Sequence, residues 1–313
     1  MPQQTGCDGV SHPCCARCCD WCSGRSAVWE ADVDDDYDDD DRPEYDGERV
    51  IQYHGYRPDP LTFYGDGPMY LGMELEVHVD LPERFRSGGY YDGNMERYAR
   101  EVQKALGEVV YLQEDGSVHD GFEITSHPMS YAWAMENFPW EALSRMTDDG
   151  CWTDRNVGLH VHVSRAAFSS ECHLYRWMKF VHRNAEQVMT LARRRNSRWA
   201  PFDPSHRASV KHYIKGPANA HRTYAVDWDR YQAINPVNRD TLEVRVFRSS
   251  LDPREVQAAL AFVAASVEYT RDLDANKIIK ERGWAWSTFV DWLKARDEYR
   301  VLLGVLEVLS CVS

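Results

Sequence analysis

The sequence predicts an α+β fold built on an antiparallel β-sheet, and three observations lead there. Several segments alternate apolar and polar residues with period two. Helical patterns lie between and after them without strict β–α alternation. An Asn, Pro and Asp-rich turn (Asn235, Pro236, Asn238, Asp240) joins two of the strands closely enough to make them an antiparallel pair. The chain has 313 residues, 43% hydrophobic and 12% aromatic, enough to bury a sizeable core.

Taken in order, residues 1–26 form a Cys-rich head. Residues 27–48 form an acidic tract whose like charges repel and resist burial, so it is expected to be a disordered linker. Residues 49–313 are expected to be the main domain, with a Tyr, Pro and Gly-rich lead-in over 49–68. Over 69–80, Leu71, Met73, Leu75, Val77 and Val79 face one way and Glu74, Glu76, His78 and Asp80 the other. A helix is expected over 94–107 and short strands over 108–113 and 121–126, around a turn holding Asp115, Gly116 and Ser117. A helix over 129–146, a strand over 157–164 and a long amphipathic helix over 171–195 follow. Strands at 229–235 and 241–248 precede helices near 253–271 and 286–308.

The net charge is −14, and residues 32–48 alone carry nine Asp, two Glu and one Arg, a net of −10. The remainder, −14 minus −10, is −4, so the body is near neutral and shows no basic face suited to duplex DNA. There is no apolar run of the ~20 residues a bilayer span requires. The N-terminal stretch has no apolar segment of a secretory signal, so a cytoplasmic protein with no membrane partner is expected. No glycine-rich phosphate loop of the Walker or dinucleotide type is present, so any nucleotide phosphates must be held by metal ions and side chains.

Three strands carry paired polar residues at i and i+2. Glu74 and Glu76 lie ~7 Å apart on one strand face. Two anions that close are costly without a cation between them, and hard carboxylate oxygens suit Mg2+ or Mn2+. Alone, such a pair also fits the solvated face of an edge strand. His160 and His162 repeat the spacing in NVGLHVHVS and can bind a metal or an anion. Glu243 and Arg245 repeat it in TLEVRVFRSS, where Arg can grip phosphate or form a cross-strand ion pair. Glu123, in DGFEITSHP, adds another strand carboxylate. Together they would make one functional face opposite one apolar face.

The ordered set GMELEV (72–77), the acidic hairpin, GLHVHVS (158–164) and LEVRVFRS (242–249) resembles the glutamine synthetase-like carboxylate–amine ligases, and within them the amidoligase group. RYQAIN (230–235) adds to the likeness, which covers roughly residues 69–270. The resemblance implies a glutamine synthetase-like cradle that uses ATP and Mg2+ or Mn2+ to form an amide bond through an acyl phosphate. It implies that Glu74, His160 and Glu243 hold a metal on the nucleotide side. Glu76 and Glu123 would hold one near the acceptor carboxylate. His162 would touch ATP phosphates, and Arg245 would stabilise the transferring phosphoryl group with Arg248. Strict alternation, however, puts Arg248 on the face opposite Arg245. The chain has no recognisable β-grasp domain and no counterpart of the ammonia-site loop. The amine donor is therefore open to an amino acid, a peptide or a macromolecule.

In the head, CCARCCDWC holds two Cys-x-x-Cys units, Cys15/Cys18 and Cys19/Cys22, that offer four thiolates for Zn2+. A zinc knuckle there would dock a protein or nucleic-acid partner; a disordered, oxidation-prone tail is the alternative. The Arg193, Arg194, Arg195 and Arg198 cluster fits an anionic substrate or the negative end of a helix. His206, Lys211 and Lys215 fall in an irregular stretch that could cover the site. Trp284, Trp286 and Trp292 are expected to pack the C-terminal helices, and Cys151 and Cys172 to be structural. Two competing readings are a metal-dependent hydrolase using His160, His162 and a Glu, and a zinc-binding interaction protein with an inactive ligase-like body.

Overall fold

Period-two alternation needs a sheet with one buried apolar face, and the chain builds one. The computed structural model describes residues 49–80, 93–118, 120–194, 200–203 and 232–312. The Cys-rich head with its expected Zn2+ ligands Cys15, Cys18, Cys19 and Cys22 lies outside the described residues. So do the acidic tract, Arg195, Arg198, His206, Lys211 and Lys215.

The strands are β1 (Ile51–Gln52), β2 (Tyr70–Val79), β3 (Val110–Gln113), β4 (Gly121–Ser126), β5 (Met129–Ser130), β6 (Cys151–Trp152), β7 (Gly158–Ser164), β8 (Ile234–Asn235) and β9 (Thr241–Arg248). They form one sheet in the order β1-β3-β4-β2-β7-β9-β8, with β5 and β6 also paired to β2. Every pairing is antiparallel except β1 with β3. The long strand β2 is central, flanked by β4 and β7, so Glu74 and Glu76 are not on an edge.

The helices are α1 (Gly93–Leu106), α2 (Tyr131–Asn137), α3 (Trp140–Asp148), α4 (Glu171–Arg183), α5 (Ala185–Ala192), α6 (Pro253–Arg271), α7 (Ala275–Lys280), α8 (Trp286–Lys294) and α9 (Arg300–Val308). The core lies between the apolar sheet face and these helices. Leu71, Met73, Leu75, Val77, Phe122, Ile124, Val161, Leu242 and Val244 are all fully buried in it. The central helix α6 starts at an Asp252 side chain that accepts the Arg254 N–H, with Pro253 in its first turn. It is apolar nearly all round because the sheet and other helices enclose it. Polar bonds fix α4 to it: Trp177 Nε1 donates to Ser266 Oγ at 2.8 Å, His173 Nε2 meets Val267 O at 2.8 Å, and Arg176 donates to Thr270 O and Arg271 O. Trp286 packs on Phe180, Phe262 and Phe289 and donates to Cys311 O at 2.7 Å.

The fold differs from the alternation and helix patterns in five places, one being the strand expected over 229–235, which among the described residues is only β8. The segment expected to be one helix over 129–146 is β5, α2 and α3, broken at Pro139, which cannot continue a helix. The long helix over 171–195 is two, α4 and α5, parted at Asn184, whose side chain donates to Phe180 O at 2.8 Å and Trp284 O at 3.2 Å. The last helix over 286–308 is likewise α8 and α9, separated by a 3-10 turn at Asp297–Tyr299. Finally, β9 is bulged. Leu159 pairs with Phe247 and Val161 with Val244, two residue steps on β7 against three on β9.

That bulge corrects the placement of Arg248. Past it the alternation turns over, so Phe247 points into the core against Phe262 and Arg248 pairs with Gly158. Arg248 therefore shares the face of His160 and Arg245.

Candidate active site

The polar face of the sheet reads as rows across neighbouring strands. One row runs Thr125, Glu74, His160; the next runs Gln113, Glu123, Glu76 and then Gly158, paired with Arg248. A third holds His162, Glu243 and Asn235. Residues far apart in the chain thus meet because register, set by the apolar face, fixes their polar partners too.

His160 sits at the middle. Its Nδ1 lies 3.1 Å from Glu74 Oε2 and 3.3 Å from Glu243 Oε1, and its Nε2 lies 3.8 Å from Glu76 Oε1. His162 Nε2 is 2.9 Å from Glu74 Oε1. Asn235 Nδ2 donates to Glu243 Oε2 at 3.0 Å, and Arg245 donates to Glu243 Oε1. The Gly158 N–H donates to Glu76 Oε2 at 2.6 Å. Glu123 accepts from Gln113 Nε2, and from Thr125 Oγ1 at 2.8 Å. All of the site residues the sequence singled out on β2, β4, β7 and β9 therefore lie on one face.

Glu76, Glu123, His160, His162 and Glu243 are buried on this face as thoroughly as core residues are on the other. Buried carboxylates are costly without compensating charge, and the cost shows in their protonation. Burial raises the Glu123 carboxyl well above the usual range, and the charges of Glu74, Asp115 and Glu76 add to it. Burial also raises Glu76, against the pull of His160. Glu74 is the exception: burial pushes it up, but His162 and His160 reverse that and hold it well below the usual range. For His162 burial works downward, Glu74 outweighs it, and the net shift is up.

Two trios have ligand atoms that all lie within 4.8 Å of one another: Glu74, His160 and Glu243, and Glu76, Glu123 and His160. Each is mainly hard carboxylate oxygen with one imidazole nitrogen, a donor set that fits Mg2+ or Mn2+. Burial raises Glu123 most, and the repulsion from Glu74, Asp115 and Glu76 that adds to it is what a cation between these carboxylates would relieve. Neither trio contains a thiolate. The soft donor set expected to take Zn2+, Cys15, Cys18, Cys19 and Cys22, lies outside the described residues.

Sequence reasoning left Arg194 in an undifferentiated cluster; the fold brings it to the site. It follows α5 and passes over Gly158, where a Cβ would come within 2.7 Å of its Nη1. Its Nη1 donates to Phe247 O at 3.4 Å, and burial lowers its pKa against the opposing charge of Glu76. Arg193, by contrast, pairs with Glu255 of α6. Cys151 is buried, and burial pushes its thiol up to about 12, which leaves it inert.

No family model matches this chain, and no curated protein does. Among solved structures, that of apo GmaS without ligand is similar over 78% of this chain and 66% of that chain, just under two thirds of its length, with 14% sequence identity and a TM-score of 0.41. No helix among the described residues is long and apolar enough to cross a membrane.

Proposed function

We propose that this protein is an ATP-dependent carboxylate–amine ligase with a glutamine synthetase-like cradle. One observation carries the reading: two carboxylate-rich trios share His160 on a single buried sheet face, with Arg245 beside them. The order of the motifs along the chain supports the same reading.

In this reading Glu74, His160 and Glu243 hold the ion on the nucleotide side, and Glu76 and Glu123 hold the one near the acceptor. The bound ions would supply charge neutralisation for phosphate oxygens. A carboxylate oxygen of the acceptor attacks the γ-phosphorus of ATP, the bond to ADP breaks, and an acyl phosphate forms. The nitrogen of an amine then attacks the acyl carbon. The carbon–oxygen bond to phosphate breaks, phosphate departs, and the amine proton passes to solvent. His162 contacts phosphate oxygens. Arg245 and Arg248 offset the negative charge that gathers on the phosphoryl group in flight. Gly158 N–H keeps Glu76 aimed, because it occupies one carboxylate oxygen and leaves the other for a ligand, while Asn235 and Arg245 fix the two oxygens of Glu243.

The test is a calorimetric titration of the full chain with ATP in the presence and absence of Mg2+, followed by a phosphate-release assay over a panel of carboxylic acids and amines. The reading expects Mg2+-dependent ATP binding and phosphate release that requires a carboxylate. Absence of ATP binding with Mg2+ present would sink it.

A further inference from the structure

The polar face does not end at Glu76. Two residues further along β2, roughly 7 Å on, His78 stands on the same face, paired with Gly121 on β4 and Trp152 on β6. Its ring stacks on Trp152 with centroids 4.4 Å apart and planes 29° from parallel. Trp152 is 44% exposed, and it is the only Phe, Tyr or Trp in the exposed class among the described residues. Its sheet neighbour Cys151 is buried on the opposite face, so strand alternation alone forces the indole outward.

A large indole left in water is costly, and here it is also held still. His78 supports one side of it. Asp154 Oδ1 lies 3.6 Å from His78 Nε2. Asp154 is itself fixed by the Asn156 N–H at 2.7 Å, the Asn156 side-chain amide and the Val157 N–H. The Nδ1 atom of His78 is buried with no hydrogen-bond partner among the described residues. Two more acidic residues, Asp80 and Asp120, are held at this strand end by main-chain bonds. Asp80 directly follows β2 and donates its N–H to Gly150 O, and Asp120 O accepts the Val79 N–H at the same strand end. The nearby cations are Arg155, next to Asp154 in the chain, and Arg194, which interacts with Asp154 but is drawn more strongly by Glu76.

We propose that Trp152, backed by His78 and flanked by Asp154, is the seat of a cationic amine donor at the Glu76–Glu123 end of the site. An indole face attracts a cation through its ring quadrupole, and a fixed carboxylate beside it adds a directed charge. A neutral apolar donor would gain the ring contact but not the carboxylate. The assignment rests on the ligase reading, since it is that reading which makes this end the side from which the amine arrives.

The experiment uses the full chain and agmatine, which carries an ammonium and a guanidinium, with n-butanol as the uncharged control. Binding of agmatine is measured calorimetrically without nucleotide, in wild type, Trp152→Ala and Asp154→Asn. ATP·Mg2+ binding is measured separately in each. The proposal expects agmatine to bind wild type more tightly than butanol. It expects Trp152→Ala to weaken that binding roughly tenfold and Asp154→Asn a few-fold, with ATP·Mg2+ binding unchanged in both. Equal agmatine binding by wild type and Trp152→Ala, or butanol binding as well as agmatine, overturns the platform while leaving the ligase reading intact. Loss of ATP·Mg2+ binding in wild type overturns the ligase reading, and with it the donor role, whatever agmatine does. Trp152 is exposed, so its truncation is not expected to disturb the fold, and circular dichroism checks this.

Discussion

The two faces of the sheet are buried to nearly the same degree and for opposite reasons. On the helix side, Leu75, Val161 and Val244 are fully enclosed and contribute through the transfer of apolar surface from water. On the other side, Glu76, Glu123 and Glu243 are almost as enclosed, and burying a carboxylate costs free energy; at Glu123 the neighbouring carboxylates add to that cost. One face sets stability and register; the other is tolerated because the first holds it in place. Burial alone therefore does not separate core from site in this chain. The sign of its energetic contribution does.

The comparison can be broken most directly from the helix side. Trp177 is fully buried and bonded to Ser266, so Trp177→Ala should cost about 3–5 kcal/mol in urea unfolding. A smaller cost would mean that the core is less closely packed than its burial implies. On the other face, Glu74→Gln should lower ATP-dependent turnover by on the order of 100-fold or more. Glu123→Gln, which removes a carboxyl whose ionised form burial and the neighbouring carboxylates disfavour, should melt near wild type or above it; a variant that melts far below wild type would count against the division of roles.

Gly158→Ala sharpens the contrast further. Its new methyl group would crowd the flexible end of Arg194 at 2.7 Å and His160 Nε2 at 3.2 Å. Unfolding free energy should move by less than about 1 kcal/mol, while turnover falls roughly tenfold through misplacement. Equal losses in both would blur the two faces. The smallest effect is on pH dependence. His173 is buried beside α6; its Nδ1 accepts the Ser169 N–H and its Nε2 meets Val267 O, an arrangement that suits the neutral ring. Burial accordingly lowers its pKa below the ordinary value of 6.5. The unfolded chain then binds a proton more readily, so stability contributed by neutral His173 is present above 6.5 and is lost as pH falls from there through the lower folded value. Urea midpoints between about pH 7 and 5 should fall less steeply in His173→Gln than in wild type.

What the sequence disclosed follows from the same division. Strands β2, β7 and β9 were legible because each must bury one face completely, and that demand writes a period of two, unbroken in β2 and β7 and broken in β9 only at its bulge. The site pairs Glu74/Glu76, His160/His162 and Glu243/Arg245 came with them, since the polar positions are simply the remaining ones. The two-residue strands β1, β5 and β6 are too short to show any period, so Trp152 carried no strand signal. The breaks at Pro139 and Asn184 were hidden by apolar stripes that run on across them. Of these, Pro139 was the signal that could have been read. Arg194 left no local mark; only the missing side chain at Gly158, far earlier in the chain, hints that something must pass there.

The bulge in β9 makes that strand behave like a reading frame. Upstream of it, even steps from Glu243 reach Arg245; downstream, the count slips by one and reaches Arg248. Deleting Val246 would remove the extra residue and keep both ends in place, whereas flattening the bulge with Val246 retained would exchange them. In the flattened strand Phe247 would be carried among the carboxylates and Arg248 into the apolar core, with neither residue itself altered. The bulge, and not only residue identity, decides whether the guanidinium of Arg248 belongs to the site.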